Sequence, residues 1–161
     1  MKELLDKLLS KQLTIAFAES MTGGYISSEL TKIPEASKAF LGSVVSYSQD
    51  VKMGILNVKK ETINKYSLVS SNVSLEMARG LLKVINANIS VSITGNAGPT
   101  LEANTNELEC YITVIFRSVE RTINYRFKEN NRLNNIIEAT NKVIEIVNEI
   151  IEEYQTIFIT K

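Results

Sequence analysis

The sequence contains no histidine, and this absence restricts the chemistry open to the chain. A Ser-His-Asp triad, a histidine-ligated zinc site and a histidine general base are all excluded. The single cysteine, Cys110, cannot form a disulfide within the chain, and one cysteine without histidine disfavours a structural zinc site. Any proton transfer must therefore use lysine, tyrosine, aspartate, glutamate or Cys110.

The sequence also lacks an excess of either charge and any long apolar run. Lysine plus arginine equals aspartate plus glutamate at 18 each, so net charge does not direct the chain to nucleic acid or to an anionic membrane. No apolar stretch approaches the roughly 18 residues that cross a bilayer. The segment 1–6, "MKELLD", has acidic residues and no signal-peptide core. These absences predict a cytoplasmic protein without nucleic-acid or membrane partners.

What is present is typical of one globular domain. The chain has 161 residues, of which 44% are hydrophobic and 22% are charged, and it has no linker or internal repeat. We therefore expect a single domain over residues 1–161, with a core of about 3–153 and a tail of 154–161. The tail, "YQTIFITK", is compatible with an edge strand, an extended arm or a frayed end.

Hydrophobic periodicity predicts strands that alternate with helices and then a pair of consecutive strands. The predicted helices lie at about 2–11, 24–32, 49–54, 59–66, 71–86 and 130–153. The predicted strands lie at about 13–18, 42–48, 89–95, 108–117 and 121–128. This order predicts an α/β fold, a three-layer α/β/α sandwich with a mixed, mostly parallel sheet.

Ser20 is the first candidate for chemistry, in the stretch "AFAESMTGG" at 16–24. It follows a predicted buried strand, and ligands of α/β sheets bind where strands end. Gly23 and Gly24 allow the backbone to approach a ligand closely. Alternatively, Ser20 or Thr22 only caps the next helix, and this stretch alone favours the cap.

A second stretch, "VVSYSQDVK" at 44–52, contains Tyr47 and Lys52. A lysine activates a serine only when its pKa falls from about 10.4 toward 7–8, through burial or a neighbouring cation. Such a pair replaces Ser-His in some enzymes. The alternative is a solvated surface lysine, which is the commoner case.

A third stretch, "SITGNAGP" at 92–99, ends a predicted strand with Thr94 and Gly95. Its backbone N–H groups are suited to a phosphate or an oxyanion, but a structural turn explains the same residues. It is not a Walker loop, because no Gly-Lys-Ser/Thr follows.

Four further side chains have both a functional and a structural interpretation. Glu19 can orient a base or bind a ribose hydroxyl, although a salt bridge is the commoner role. Arg126 and Arg132 can pair with a phosphate, or they are ordinary exposed arginines. Cys110 falls within a predicted strand and fits a small core residue better than a nucleophile.

Taken together, the three stretches resemble a known family. "AESMTGG" (18–24), "VSYSQDVK" (45–52) and "TGNAGP" (94–99) are similar, in this order and spacing, to motifs of the CinA C-terminal domain family, the nicotinamide-nucleotide amidases. The segments "PEASKAFLGSVVSYS" (34–48) and "LVSSNVSLEMARG" (68–80) also resemble that family. The resemblance extends over about residues 3–153.

The resemblance implies an α/β/α fold and a hydrolase that converts nicotinamide mononucleotide to nicotinate mononucleotide and ammonia. It implies no metal and no cofactor. The implied catalytic residues are Ser20 as nucleophile, Lys52 as general base and Tyr47. The expected substrate-binding residues are Glu19, Thr22, Gly23, Gly24, Ser48, Thr94, Gly95, Asn96 and Arg132. Family members are often oligomeric, so we also expect a homo-oligomer.

The sequence departs from the family where substrate would be held. The segment 100–109, "TLEANTNELE", replaces a glycine-rich stretch and Lys-Pro-Val-Gly, and Asn96 stands where isoleucine is usual. The segment 127–135, "FKENNRLNN", keeps Arg132 but has Asn130-Asn131 where relatives have Gly-Asp. Two alternatives to an amidase therefore remain: an impaired relative that binds a nucleotide or a protein partner, and a purely structural α/β module.

Overall fold

The computed structural model describes the backbone of residues 1–159 and the side chains of residues 1–154. The helices are α1 (Lys2–Ser10), α2 (Tyr25–Thr31), α3 (Gln49–Leu56), α4 (Lys60–Tyr66), α5 (Ser71–Val84) and α6 (Arg132–Ile159), with a short 3-10 turn at Ala36–Lys38. The strands are β1 (Ile15–Glu19), β2 (Phe40–Val45), β3 (Ile89–Gly95), β4 (Glu109–Phe116) and β5 (Val119–Arg126).

The five strands form one mixed sheet in the order β2-β1-β3-β4-β5. β1 pairs in parallel with β2 and β3, whereas β3-β4 and β4-β5 are antiparallel. The predicted mixed sheet is confirmed, with its four pairings divided equally between the two orientations. The loop between β4 and β5 is short enough for a hairpin, which explains why that half of the sheet is antiparallel.

Helices cover both faces of the sheet, which confirms the three-layer α/β/α sandwich. Side chains alternate along β1 because successive residues of a strand point to opposite faces. Ile15 and Phe17 pack in the core with α1, α2 and α6. Ala16 and Ala18 pack in the second core with α3, α4 and α5. The centre of the sheet is thus buried on both sides, as in other α/β folds.

Helix α5 approaches the sheet closely because small side chains line the contact. The Ser74 hydroxyl lies 3.0 Å from that of Ser92 and 2.8 Å from that of Thr113. On its other side, α5 meets α3 at Gly80, where an added Cβ would lie 1.8 Å from the carbonyl oxygen of Leu56. Gly80 therefore sets the distance between α5 and the helix that carries Lys52.

Two predicted boundaries differ from the structure by more than two residues. Strand β2 ends at Val45, so residues 46–48 leave the sheet instead of completing a strand over 42–48. Helix α6 continues to Ile159, so an edge strand or extended arm over 154–159 is wrong. The last two positions of the predicted tail, 160–161, lie outside the described residues. No helix within residues 1–159 combines the length and apolar character needed to cross a membrane.

Candidate active site

Ser20 directly follows β1, at the edge where the parallel strands end. Its N–H donates to the carbonyl of Ile93 on β3 (3.1 Å), and its own carbonyl accepts from Gly23 (3.0 Å). Gly23 and Gly24 have φ values of +59° and +96°, which an L side chain rarely adopts. The glycine pair therefore closes a tight turn and leaves Ser20 at its start, 7% exposed.

Glu19 holds this turn and supplies the cap of α2. One carboxylate oxygen accepts from the Thr22 hydroxyl (2.7 Å) and from the N–H groups of Gly24 and Ile26 (both 3.1 Å). The other accepts from the Ser27 N–H (2.9 Å) and hydroxyl (2.5 Å). Because Glu19 is fully buried and satisfies these donors, it is a structural anchor and not the expected substrate ligand.

The same contacts decide between the two interpretations of Ser20, a nucleophile and a helix cap. The first N–H groups of α2 bond to Glu19, and Thr22 donates to Glu19 instead of capping the helix. The Ser20 hydroxyl is bonded elsewhere, to Lys52. Ser20 is therefore not the cap of α2, and its side chain is available for chemistry.

Lys52 lies on α3, one turn after the helix begins. Ser48 caps this helix by accepting from the Val51 N–H (3.3 Å), so Ser48 positions Lys52 and makes no contact that identifies it as a substrate ligand. Lys52 is 2% exposed, unlike a solvated surface lysine. Its Nζ lies 2.8 Å from the Ser20 hydroxyl oxygen and 2.6 Å from the Ser46 carbonyl oxygen.

Burial lowers the pKa of Lys52 to about 8, while the negative charge of Glu102 acts to raise it. The cause is desolvation, since removing an ammonium from water disfavours its charged form. A neutral amine can donate one N–H to the Ser46 carbonyl and accept the Ser20 hydroxyl proton with its lone pair. The geometry therefore suits Lys52 as a general base for Ser20.

Ser46 is a part of this site that sequence reasoning missed. It is fully buried, its N–H donates to the Glu19 carbonyl (2.8 Å), and its own carbonyl orients Lys52. Its place within "VSYS", directly after β2, was the available signal. However, a backbone carbonyl has no residue signature, so the sequence did not distinguish Ser46 from its neighbours.

A cavity of about 250 Å³ lies at this edge of the sheet, and neither Ser20 nor Lys52 is among the residues that line it. Its lining consists of Met21, Tyr47, Gly95, Asn96, Ala97, Thr100, Leu101, Glu102 and Arg132. Of the expected substrate-binding residues, Gly95, Asn96 and Arg132 therefore line it, together with Tyr47. Met21 directly follows Ser20 in the chain, and the charge of Glu102 acts on Lys52, so two lining residues connect the cavity to the serine–lysine pair.

Tyr47 and Arg132 form one unit at this cavity. The Arg132 guanidinium donates to the Gly98 carbonyl (2.8 Å) and to the Tyr47 hydroxyl (2.9 Å). Tyr47 is 60% exposed, and no contact described for residues 1–154 joins its side chain to Ser20 or Lys52. The structure thus associates Tyr47 with the arginine and not with the serine–lysine pair.

Asn96 and Thr94 are engaged within the protein. The Asn96 side chain accepts from the Glu102 N–H (2.9 Å) and donates to the Thr105 hydroxyl (2.9 Å) and the Glu107 carbonyl (3.2 Å). Thr94 donates to the Leu68 carbonyl (2.9 Å). Thus Asn96 fastens the loop between β3 and β4, and Thr94 anchors β3 to the segment before α5.

The backbone N–H groups of the two turn glycines are already bonded within the protein. The Gly23 and Gly24 N–H groups donate to Ser20 and Glu19. The hydrogen bonds described for residues 1–154 include no acceptor for the N–H groups of Met21 and Thr22. Those two groups are the better candidates for an oxyanion hole, because they directly follow the serine.

Two remaining candidates, Cys110 and Arg126, make no described contact with Ser20 or Lys52. Cys110 is fully buried in the core, where burial raises the pKa of its thiol far above the usual range. This confirms the core interpretation. Arg126 is exposed and lies 3.8 Å from a Glu109 carboxylate oxygen. Within the described part of the chain, no group of three histidine, cysteine, aspartate or glutamate residues is placed to hold a metal ion.

The fold and the site define an α/β protein with a serine–lysine pair at the carboxyl edge of its parallel strands. The sequence model of the CinA C-terminal domain family matches residues 1–151, and the chain belongs to that family. A crystal structure of a CinA superfamily protein from Escherichia coli superposes with a TM-score of 0.88 at 26% identity, covering 92% of this chain and 86% of that one.

Sequence relatives carry the same family name. A CinA-like protein of Petrotoga mobilis is 49% identical over 98 residues, which are 61% of this chain and 24% of that protein. A CinA-like protein of Thermotoga neapolitana is 40% identical over 128 residues, which are 79% of this chain and 31% of that protein. The chain thus spans about a quarter to a third of the length of these relatives, whose names state a family and no reaction.

Proposed function

We propose that the protein is an amidohydrolase that converts nicotinamide mononucleotide to nicotinate mononucleotide and ammonia. The observation that carries this proposal is the 2.8 Å contact between Lys52 Nζ and the Ser20 hydroxyl oxygen. A serine that directly follows a strand and contacts a buried lysine of lowered pKa is suited to act as an activated nucleophile, with the lysine as its base. The resemblance to nicotinamide-nucleotide amidases supplies the substrate.

In the first half-reaction, neutral Lys52 takes the proton of Ser20 as its Oγ attacks the amide carbon. The N–H groups of Met21 and Thr22 are proposed to stabilise the oxyanion, a contribution commonly worth about 3 kcal/mol per donor. The Lys52 ammonium then protonates the departing nitrogen as the C–N bond breaks. Ammonia leaves, and the nicotinoyl group remains as an ester of Ser20.

In the second half-reaction, Lys52 takes a proton from water, whose oxygen attacks the ester carbon. The bond to Ser20 Oγ breaks, and Lys52 returns the proton to that oxygen. The nicotinate carboxyl group is released, and serine and lysine return to their initial states. The step consumes one water for each amide and requires no metal or redox partner.

Arg132 is proposed to hold the phosphate of the nucleotide. A guanidinium has five N–H groups, and the contacts described for Arg132 use two of them, to Gly98 and Tyr47. The others suit a phosphate, which arginine binds well through its planar donors. Tyr47 orients the guanidinium and so contributes to substrate binding in this proposal.

The test is ammonia release from nicotinamide mononucleotide by the wild type, Ser20→Ala and Lys52→Met. We expect activity in the wild type and a loss of at least about 100-fold in both variants. Ser28→Ala and Lys60→Met, which change exposed residues outside the site, are the matched controls. Binding without ammonia release by the wild type would instead support the impaired relative.

The expected homo-oligomer and cytoplasmic location stay predictions. Among the described strands, β2 is an edge of the sheet, and its Leu41 and Val45 are 47% and 45% exposed. Light scattering across a range of protein concentrations tests self-association, and a monomer at all of them would contradict it.

A further inference from the structure

Glu102 lies on the loop between β3 and β4 and lines the cavity beside the serine–lysine pair. It also lines a neighbouring cavity of about 330 Å³, so it stands at the boundary between the two. No side chain among residues 1–154 forms a hydrogen bond or ion pair with its carboxylate. An acid without a protein partner beside a candidate active site has its charge available for a ligand.

The position of Glu102 is built into the loop. Its N–H donates to the Asn96 side chain (2.9 Å), and its carbonyl accepts from the Thr105 N–H (3.2 Å) and hydroxyl (2.6 Å). The Asn96 amide also donates to Thr105 and Glu107. Because Asn96 is 3% exposed and directly follows β3, these contacts connect Glu102 to the sheet.

The negative charge of Glu102 acts electrostatically on Lys52 of the serine–lysine pair. Its negative charge raises the pKa of Lys52, against the larger lowering by burial. The same cavity is lined by Arg132, a permanent cation. The cavity therefore combines one negative and one positive side chain, and a ligand that carries both signs of charge complements it.

Nicotinamide mononucleotide carries both signs of charge. Its phosphate is an anion, and the ring that bears the amide is a pyridinium cation because the ring nitrogen is bonded to ribose. Reduction to the dihydropyridine removes the ring charge but keeps the amide, ribose and phosphate. The oxidised and reduced nucleotides are thus a matched pair of probes for recognition of the ring charge.

Resting on the proposed function, we propose that Glu102 is a specificity-determining residue that favours substrates whose amide-bearing ring is positively charged. Arg132 attracts the phosphate, and Glu102 attracts the ring. Selectivity then arises from a difference in affinity between charged and neutral rings. The loop that departs from the family pattern supplies this selectivity through Asn96 and Glu102.

The test measures dissociation constants of the oxidised and reduced nucleotides in a Ser20→Ala background, which prevents turnover. We expect the oxidised nucleotide to bind more tightly than the reduced one. Glu102→Gln should raise the dissociation constant of the oxidised nucleotide about five-fold and change that of the reduced nucleotide less than two-fold. Added salt at about 1 M should diminish the preference, because screening weakens an exposed charge pair.

Glu107→Gln is the matched control, because it removes the same charge from the same loop at a residue outside the cavity lining. It should leave both constants unchanged. If Glu102→Gln raises both dissociation constants by the same factor, or leaves the ratio of the two constants unchanged, the proposed role of Glu102 is overturned. If the wild type still releases ammonia in that case, the proposed function remains supported without the role of Glu102. If nicotinamide mononucleotide neither binds nor releases ammonia, both proposals are overturned.

Discussion

Lys52 Nζ lies 2.8 Å from the hydroxyl oxygen of Ser20, although 32 positions separate the two residues. Ser20 directly follows β1, and Lys52 lies on the helix that follows β2, the neighbouring parallel strand. The carbonyl of Ser46, at the end of that neighbour, holds the amine from the other side. This contact therefore depends on two strands, a turn and a helix.

The pH dependence of the proposed reaction should follow the protonation of Lys52. With a pKa of about 8, roughly a tenth of the enzyme carries a neutral Lys52 at pH 7. The value of kcat/KM should therefore rise with pH and level off above about pH 8. Initial rates of ammonia release between about pH 6 and 10 measure this profile. A rate that does not change over that range would contradict Lys52 as the base.

Lys52→Met should stabilise the fold at neutral pH while removing activity. The folded state lowers the pKa of Lys52 from 10.5 to about 8, so below pH 8 folding carries the full cost of burying the ammonium. We expect a gain of about 1–3 kcal/mol at pH 7.

This gain should shrink as pH rises from about 8 toward 10.5, because the wild-type lysine then loses its proton in both states. Urea unfolding at pH 7 and at pH 10 measures the difference. Lys60→Met, at an exposed position, is the control and should change stability little at either pH. A gain that is the same at both pH values would show that charge burial is not its cause.

Glu19→Ala should destabilise the protein by about 3 kcal/mol, because it leaves buried N–H groups of α2 without an acceptor. Activity should fall as well, since the turn after Ser20 loses its anchor. Glu29→Ala on the same helix removes only a surface pair with Lys32 and should cost less than about 0.5 kcal/mol. Thermal unfolding of the two variants distinguishes these outcomes, and equal effects would refute the anchoring role.

Gly80→Ala should destabilise the protein by about 3 kcal/mol, because the new Cβ would meet the Leu56 carbonyl at the end of α3. Displacement of α3 should also reduce activity through Lys52. Gly54→Ala is the matched substitution, because a Cβ there meets nothing within 4 Å and alanine favours a helix by up to about 1 kcal/mol. In denaturant unfolding, the free energy of unfolding should therefore fall for Gly80→Ala and rise for Gly54→Ala. A change of the same sign in both variants would contradict the close contact at Gly80.

Local pattern was sufficient for most of the fold. Five strands and the long helices could be predicted because apolar periodicity depends on neighbouring residues. The end of β2 was misplaced because "SYS" at 46–48 has strand propensity, whereas Ser46 turns out of the sheet to meet Lys52. The last helix was predicted too short because β-branched and aromatic residues at its end also suit a strand.

Site residues were predictable as members of motifs but not in their roles. Glu19 and Asn96 belong to motifs that resemble a binding site, yet their side chains hold the turn and the loop. Ser46 acts through its carbonyl, and Glu102 lies in a segment that departs from the family pattern. Their roles depend on partners that are remote in sequence or belong to the backbone, and such partners leave no local pattern.

The sequence by itself determined the fold class, the family resemblance and the exclusion of histidine chemistry, because each follows from residue identity and spacing. Only the tertiary structure decided that Ser20 is bonded to Lys52 and is not a helix cap, and that Lys52 is buried. Burial in turn lowers the pKa of Lys52, because desolvation depends on every element packed around the amine and not on its neighbours in the chain.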